Sequence, residues 1–248
     1  MCRWSVYAGP EVFLADIIFN QQYSLIKQSL LARESVWKTN GDGFGIAWYG
    51  TKKEPGIFKD TLPAWNDENL RSLAEQVESR LFFAHVRATT GTSISRNNCH
   101  PFKYKNWIFM HNGQIGGWAE CRKDIESMID HRFYSYRLGT TDSEALFLVA
   151  LSEGLEDDPP AALGRAISRI LCVMQDRGVH EPMRISCACS DGDQVWALRF
   201  STDGQSPTLY YGTPATHARE HFDGQVCISS LVLIMLSSTA HNLSSAGF

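Results

Sequence analysis

A cysteine stands second in the chain, in Met1-Cys2-Arg3-Trp4. Aminopeptidases remove an initial methionine when the next residue is small, and cysteine qualifies. The thiol then shares one residue with a free α-amine. That amine has a pKa near ~7.7–8.0, so a useful fraction is neutral at cellular pH and can take the thiol proton. Nucleophile and base then come from a single residue, and no separate imidazole is required. Alone, a Met-Cys start is equally a chance beginning.

Three other segments carry residue types that complement such a nucleophile. In His85-Val86-Arg87-Ala88-Thr89-Thr90-Gly91 an arginine is delivered at the end of an apolar run. A guanidinium there can grip a carboxylate through two parallel hydrogen bonds; the plainer reading is a surface ion pair. In Met110-His111-Asn112-Gly113-Gln114 the Asn112 amide and the Gly113 N–H can converge on one point, as an oxyanion hole requires. The same dipeptide is also a common turn. In Gly139-Thr140-Thr141-Asp142-Ser143-Glu144 a carboxylate opens a helix, where it can hold an ammonium group or simply cap the helix.

The elements that position these segments follow from periodicity. Residues 2–8 read as a strand closed by Gly9-Pro10, and 12–32 as loop then helix. Asn40-Gly41-Asp42-Gly43 is a dense turn leading into a strand at 44–49, which pairs with 56–59. Residues 67–79 read as a helix capped by Asn66. The apolar runs 81–86 and 107–110 read as buried strands around a polar loop at 91–100. Helices are expected at 118–129, at 142–151 with Thr141 and Glu144 as a capping box, and at 161–175 after Pro159-Pro160. Alternation then predicts strands at 184–189, 194–200 and 209–211, with Asp191-Gly192 as a hairpin turn. Strands, then helices, then strands point to an α+β fold of packed layers.

Composition bounds the rest. The 248 residues are 44% hydrophobic and 20% charged, a globular profile. The net charge of −4 argues against a nucleic-acid partner, which needs a basic surface. The first residues read as strand rather than leader, and the apolar run 231–236 is far short of the roughly 18 residues a membrane span needs. A cytoplasmic location is therefore expected. Seven cysteines at irregular spacing give no disulfide framework. Cys187 and Cys189 share one face of a strand and are expected to be buried. The sequence divides into a domain at 1–228 and an atypical tail at 229–248, read either as a last strand with a frayed end or as an out-of-frame product.

Taken in order, Cys2-Arg3, Asp42-Gly43-Phe44-Gly45, His85-Val86-Arg87, Asn98-Cys99-His100-Pro101-Phe102, His111-Asn112-Gly113 and Thr141-Asp142-Ser143-Glu144 resemble the class II glutamine amidotransferases. Length and motif wording are most similar to the stand-alone YafJ-like branch, and the ergothioneine-pathway γ-glutamyl amidohydrolases are similar. The resemblance implies a four-layer αββα N-terminal-nucleophile hydrolase sandwich. It implies Cys2 as nucleophile, Asn112 and Gly113 as oxyanion hole, Arg87 with Thr90 on the glutamyl α-carboxylate, and Asp142 on its α-ammonium. It gives His85, His100 and His111 structural roles and calls for no metal or cofactor. The implied substrate is glutamine or a γ-glutamyl amide. A separate ammonia-accepting synthase subunit, or plain hydrolysis, would dispose of the amine; a catalytically silent binding subunit is the alternative role.

Overall fold

The computed structural model describes residues 2–30, 40–89, 92–210, 226–228 and 231–235. Two five-stranded sheets face each other. The first contains β1 (Arg3–Phe13), β2 (Phe44–Trp48), β3 (Gly56–Asp60), β4 (Glu78–Val86) and β9 (Val226–Ile228), in the order β3-β2-β4-β1-β9. The second contains β5 (Phe102–Tyr104), β6 (Trp107–Gln114), β7 (Arg184–Ser190), β8 (Val195–Ser201) and β10 (Leu231–Met235), in the order β10-β8-β7-β6-β5. Neighbours are antiparallel, except that β9 runs parallel to β1 and β10 parallel to β8.

The period of two along each strand builds the layers. On β4, Phe82 and Ala84 point outward to a cluster with Leu14, Ile18 and Leu70, which come from α1 (Leu14–Ile18) and α3 (Glu68–Gln76). Their neighbours Leu81 and Phe83 point inward and meet Ile108, Met110, Ala188 and Ala197 of the second sheet. The outer face of that sheet, with Phe109, Cys187, Cys189 and Leu198, is covered by α4 (Trp118–Ser127), α5 (His131–Tyr134), α6 (Asp142–Ser152) and α7 (Pro159–Asp176). The architecture is thus helix, sheet, sheet, helix, the four layers expected. Helix α6 is buried all round from Ser143 to Leu151, as a helix caught between a sheet and other helices must be.

Several boundaries differ from the sequence reading, each for a local reason. Gly9-Pro10 does not close β1; a register shift between Ala8 and Val12 absorbs it, and proline, lacking an N–H, is tolerated at such a bulge. Residues 12–32 hold two short helices, α1 and α2 (Leu25–Leu30), rather than a loop and one helix. Asp67, not Asn66, caps α3, its carboxylate accepting from Leu70 N at 2.7 Å, and the helix ends at Gln76 to release β4. Strand β6 runs on to Gln114, so Asn112 and Gly113 lie within the ladder, opposite Ser186 and Ile185. Leu209 and Tyr210 form no strand, and Tyr211 lies outside the described residues. Of the tail from residue 229, Leu231–Met235 pair with Val195–Arg199.

Phe83 fills the layer between the sheets and is fully buried. Phe83→Ala is expected to cost ~3–5 kcal/mol by cavity formation, read as a lowered urea midpoint at unchanged slope.

Candidate active site

The sequence-selected residues gather at one end of the sandwich. There β1 begins, β2 begins, β4 ends and, across the gap, β6 ends. Inward-facing Val6 and Phe83 fix the alternation, which carries Cys2 and Trp4 before Val6, and His85 and Arg87 after Phe83, into the space between the sheets. Met110 does the same for Asn112. The sheets are tied at this end by Trp4, whose Nε1 donates to the Ser186 carbonyl at 3.1 Å; Ser186 is the ladder partner of Asn112.

Cys2 is partly buried, and the main chain of Ala88 brackets its sulfur. Ala88 N–H donates to Sγ at 3.4 Å and the thiol donates to Ala88 O at 3.5 Å. Burial pushes the thiol up from its ordinary value; the Ala88 N–H and the Arg87 guanidinium pull against that. The nearby Asp142 carboxylate pushes it up further.

Arg87 is not the surface ion pair of the plainer reading: it is 3% exposed. Its Nη1 donates to Asp42 O at 3.3 Å, and its Nη2 donates to Thr92 Oγ1 at 2.7 Å, Thr89 Oγ1 at 3.1 Å and Ser93 O at 3.2 Å. Part of the donor fork therefore ties Thr89, Thr92 and Ser93 together, and Nε–H and one Nη1–H have no acceptor among the described residues. Thr90 lies outside the described residues. The Asp42 carboxylate accepts from Thr89 N at 2.7 Å, while Asp42 N and Gly43 O bond the Arg87 main chain. Gly43 permits this turn: it sits at φ +114°, and a Cβ there would strike Cys99 Sγ and Asp60 O.

Gly113 is held at φ +150°, where a side chain would run into the Arg184 carbonyl. Beneath it, outward-facing His111 has Nδ1 2.8 Å from Ser143 Oγ and Nε2 3.3 Å from Arg184 O. Burial lowers its pKa although Asp142 opposes this, so the ring is neutral, with Nε2–H facing the carbonyl. Thr141, not Asp142, caps α6, accepting from Glu144 N at 3.2 Å. That leaves the Asp142 carboxylate to accept from Ile115 N at 2.8 Å and from Ser143 N at 2.8 Å, which pins the helix start to the exit of β6.

Some residues that shape the site were not singled out from sequence. Asn98 joins two loops, donating to Ser93 O at 2.9 Å and to Thr140 Oγ1 at 3.0 Å while accepting from Thr140 N at 2.8 Å. Glu144 does not close a capping box; it accepts from Gly139 N at 2.8 Å and pairs with Arg137 at 2.6 Å, which also holds Glu126 at 2.8 Å. Only the motifs containing Asn98 and Glu144 hinted at them. His85 and His100 are buried and stack at 4.2 Å. Burial holds His85 down at about 3 and His100 well below its ordinary value, so neither carries charge at neutral pH. Among the described residues no group of three His, Cys, Asp or Glu is placed to hold a metal, and no helix is long and apolar enough to cross a membrane.

Residues 16–219 match the family model of the class-II glutamine amidotransferases. The chain belongs to this family. The match spans Asp42, Arg87, Asn112, Gly113 and Asp142 and begins after Cys2. Among curated amidotransferase relatives, the chain is 35% identical over 230 residues to the probable glutamine amidotransferase DUG3 of Saccharomyces cerevisiae, covering 82% of this chain and 64% of that protein. It is 28% identical over 166 residues to a γ-glutamyl-hercynylcysteine sulfoxide hydrolase of Mycolicibacterium smegmatis, covering 66% of this chain and 73% of the relative. A solved class-II domain protein from Silicibacter pomeroyi superposes with a TM-score of 0.67 at 44% identity, over 83% of this chain and 80% of that one. A glutamine phosphoribosylpyrophosphate amidotransferase from B. subtilis shares the fold at 16% identity, with a TM-score of 0.50 over 80% of this chain and 37% of its own.

Arg137 and Glu144 side chains are each 5% exposed. Arg137→Leu strands both carboxylates and is expected to cost ~3–5 kcal/mol, measured by chemical denaturation, with the 138–141 loop gaining amide exchange.

Proposed function

We propose that the protein hydrolyses the side-chain amide of glutamine or of a γ-glutamyl compound through a γ-glutamyl thioester on Cys2. The observation that carries this is the placement of the Cys2 sulfur against the Ala88 main chain, in the electrostatic reach of Arg87 and Asp142, at the end of the sandwich where Asn112 and Gly113 lie on the facing sheet. Removal of Met1 frees the α-amine. Burial keeps the thiol protonated at rest, so a base adjacent to it is required, and the neutral amine supplies one.

The remaining donors of Arg87 receive the α-carboxylate of the glutamyl group, with Thr90 assisting, and Asp142 receives its α-ammonium. This places the γ-carbonyl over Sγ. The sulfur attacks and its proton passes to the α-amine. The carbonyl oxygen becomes an oxyanion held by the Asn112 amide and the Gly113 N–H. The C–N bond breaks as the α-amine returns the proton to the leaving nitrogen. Water then adds to the thioester by the same route and releases glutamate and free thiol. The stacked, neutral His85–His100 pair serves packing and does not enter the proton path.

Glutamate release from a panel of glutamine, γ-glutamyl amides and γ-glutamyl peptides tests the proposal. Cys2→Ala is expected to abolish release, and Asn112→Ala to lower turnover ~10²–10³-fold with little change in KM. Sustained release by Cys2→Ala would refute the mechanism.

A further inference from the structure

A second cavity lies at the side of the sandwich, where the β3 edge of one sheet meets the β5 edge of the other. It measures about 370 Å³, within the range of small-molecule sites. Its walls are largely apolar, including Ile57, Phe102, Tyr136, Leu138 and Phe147. Lys59 enters it from β3, pairing in register with Gly45, so its side chain lies on the inward face.

The charges around Lys59 do not balance. Its ammonium sits 5.2 Å from the centre of the Phe102 ring. The nearby carboxylates are each held by another cation: Asp60 by Arg96 at 2.6 Å, Glu54 by Lys103 at 2.8 Å, and Glu144 by Arg137 at 2.6 Å. Cys99 and the neutral His100 also face it. Lys59 is partly buried and, among the described residues, has no ion-pair partner, which leaves its charge uncompensated in a partly desolvated place. An anion that brought an apolar body with it would satisfy both the ammonium and the walls. Because the other two lining cations are already engaged, a single negative charge suffices.

We propose that this cavity binds a small organic carboxylate, its carboxylate on Lys59 Nζ and its apolar body against Phe102, Tyr136 and Phe147. None of the residues assigned to the amide reaction lines this cavity, and its occupant need not be a substrate. Leu138 and Glu144 line it and flank the loop that leads to Asp142, so an occupant would brace that loop.

Benzoate is the probe, titrated by calorimetry into the full chain, with benzamide as the neutral isostere. The expected result is one site that prefers benzoate by at least about tenfold, as a charge-assisted hydrogen bond implies. Lys59→Met is expected to remove that preference and Lys59→Arg to keep it. Burial lowers the Lys59 amine to about 8, so benzoate binding is expected to weaken as pH rises from 7 to 9.5 and the ammonium loses its proton. Saturating L-glutamate should leave the titration unchanged. Equal binding of benzoate and benzamide, absence of saturable binding, or displacement by L-glutamate would overturn the proposal. These readouts on the unaltered chain stand even if Lys59→Met fails to fold. They involve no amide hydrolysis, so their failure is distinct from failure of the Cys2 mechanism.

Discussion

The apolar layer between the two sheets sets the geometry of everything else. Cys2 and Arg87 ride on one sheet; Asn112 and Gly113 ride on the other. Among the described residues no disulfide joins these halves. Their relative position rests on Val6, Phe83, Ile108 and Met110 packing face to face, and on the Trp4–Ser186 hydrogen bond at the site end. Close-packed interiors resist deformation, so a layer of this kind transmits its spacing to the residues at its edge with little slack. A nucleophile and an oxyanion hole must agree to within a fraction of an ångström, and a packed core is the means of achieving that.

The loops over this end are held by polar groups instead. Asn98 stitches the segment at 93 to that at 140, and Arg137 neutralises Glu126 and Glu144 where water is largely excluded. At Glu126, burial disfavours the charged form, but hydrogen bonds from Arg137 and Arg122 prevail and hold its carboxyl below the ordinary range. Such a carboxylate stabilises the fold above its unfolded pKa, and the contribution is lost as pH falls through the folded one. At Cys2 the balance runs the other way: burial raises the thiol despite Arg87, so the proposed mechanism relies on the α-amine as its base.

Much of this was legible in the residues. Chemistry-bearing types at strand ends singled out Cys2, Arg87 and Asn112, and one at a helix start singled out Asp142, because such ends are marked locally by an apolar run and its turn or capping residues. That Cys187 and Cys189 share one face of β7 followed from a period of two. What escaped depends on partners distant in sequence. Nothing local says that Glu144 turns back to Arg137, that Asn98 reaches Thr140 across 42 positions, or that β6 continues to Gln114, past its apolar run, because Arg184 to Cys187 are there to pair with it. Gly9-Pro10 looked like a stop because the bulge that accommodates it exists only when β4 lies alongside. Lys59 gave no signal at all, since its isolation is a property of three ion pairs made by other residues.

The proposed chemistry requires a mature N-terminal Cys2 to form an acyl bond with a glutamyl group in this pocket. Intact-mass and peptide-level mass spectrometry after treatment with 6-diazo-5-oxo-L-norleucine, an electrophilic glutamine analogue, addresses it directly. The account predicts one adduct per chain, on Cys2, on molecules that have lost Met1, with excess glutamine slowing its formation. A correctly processed chain that gains no adduct, or gains it on another cysteine, would contradict it.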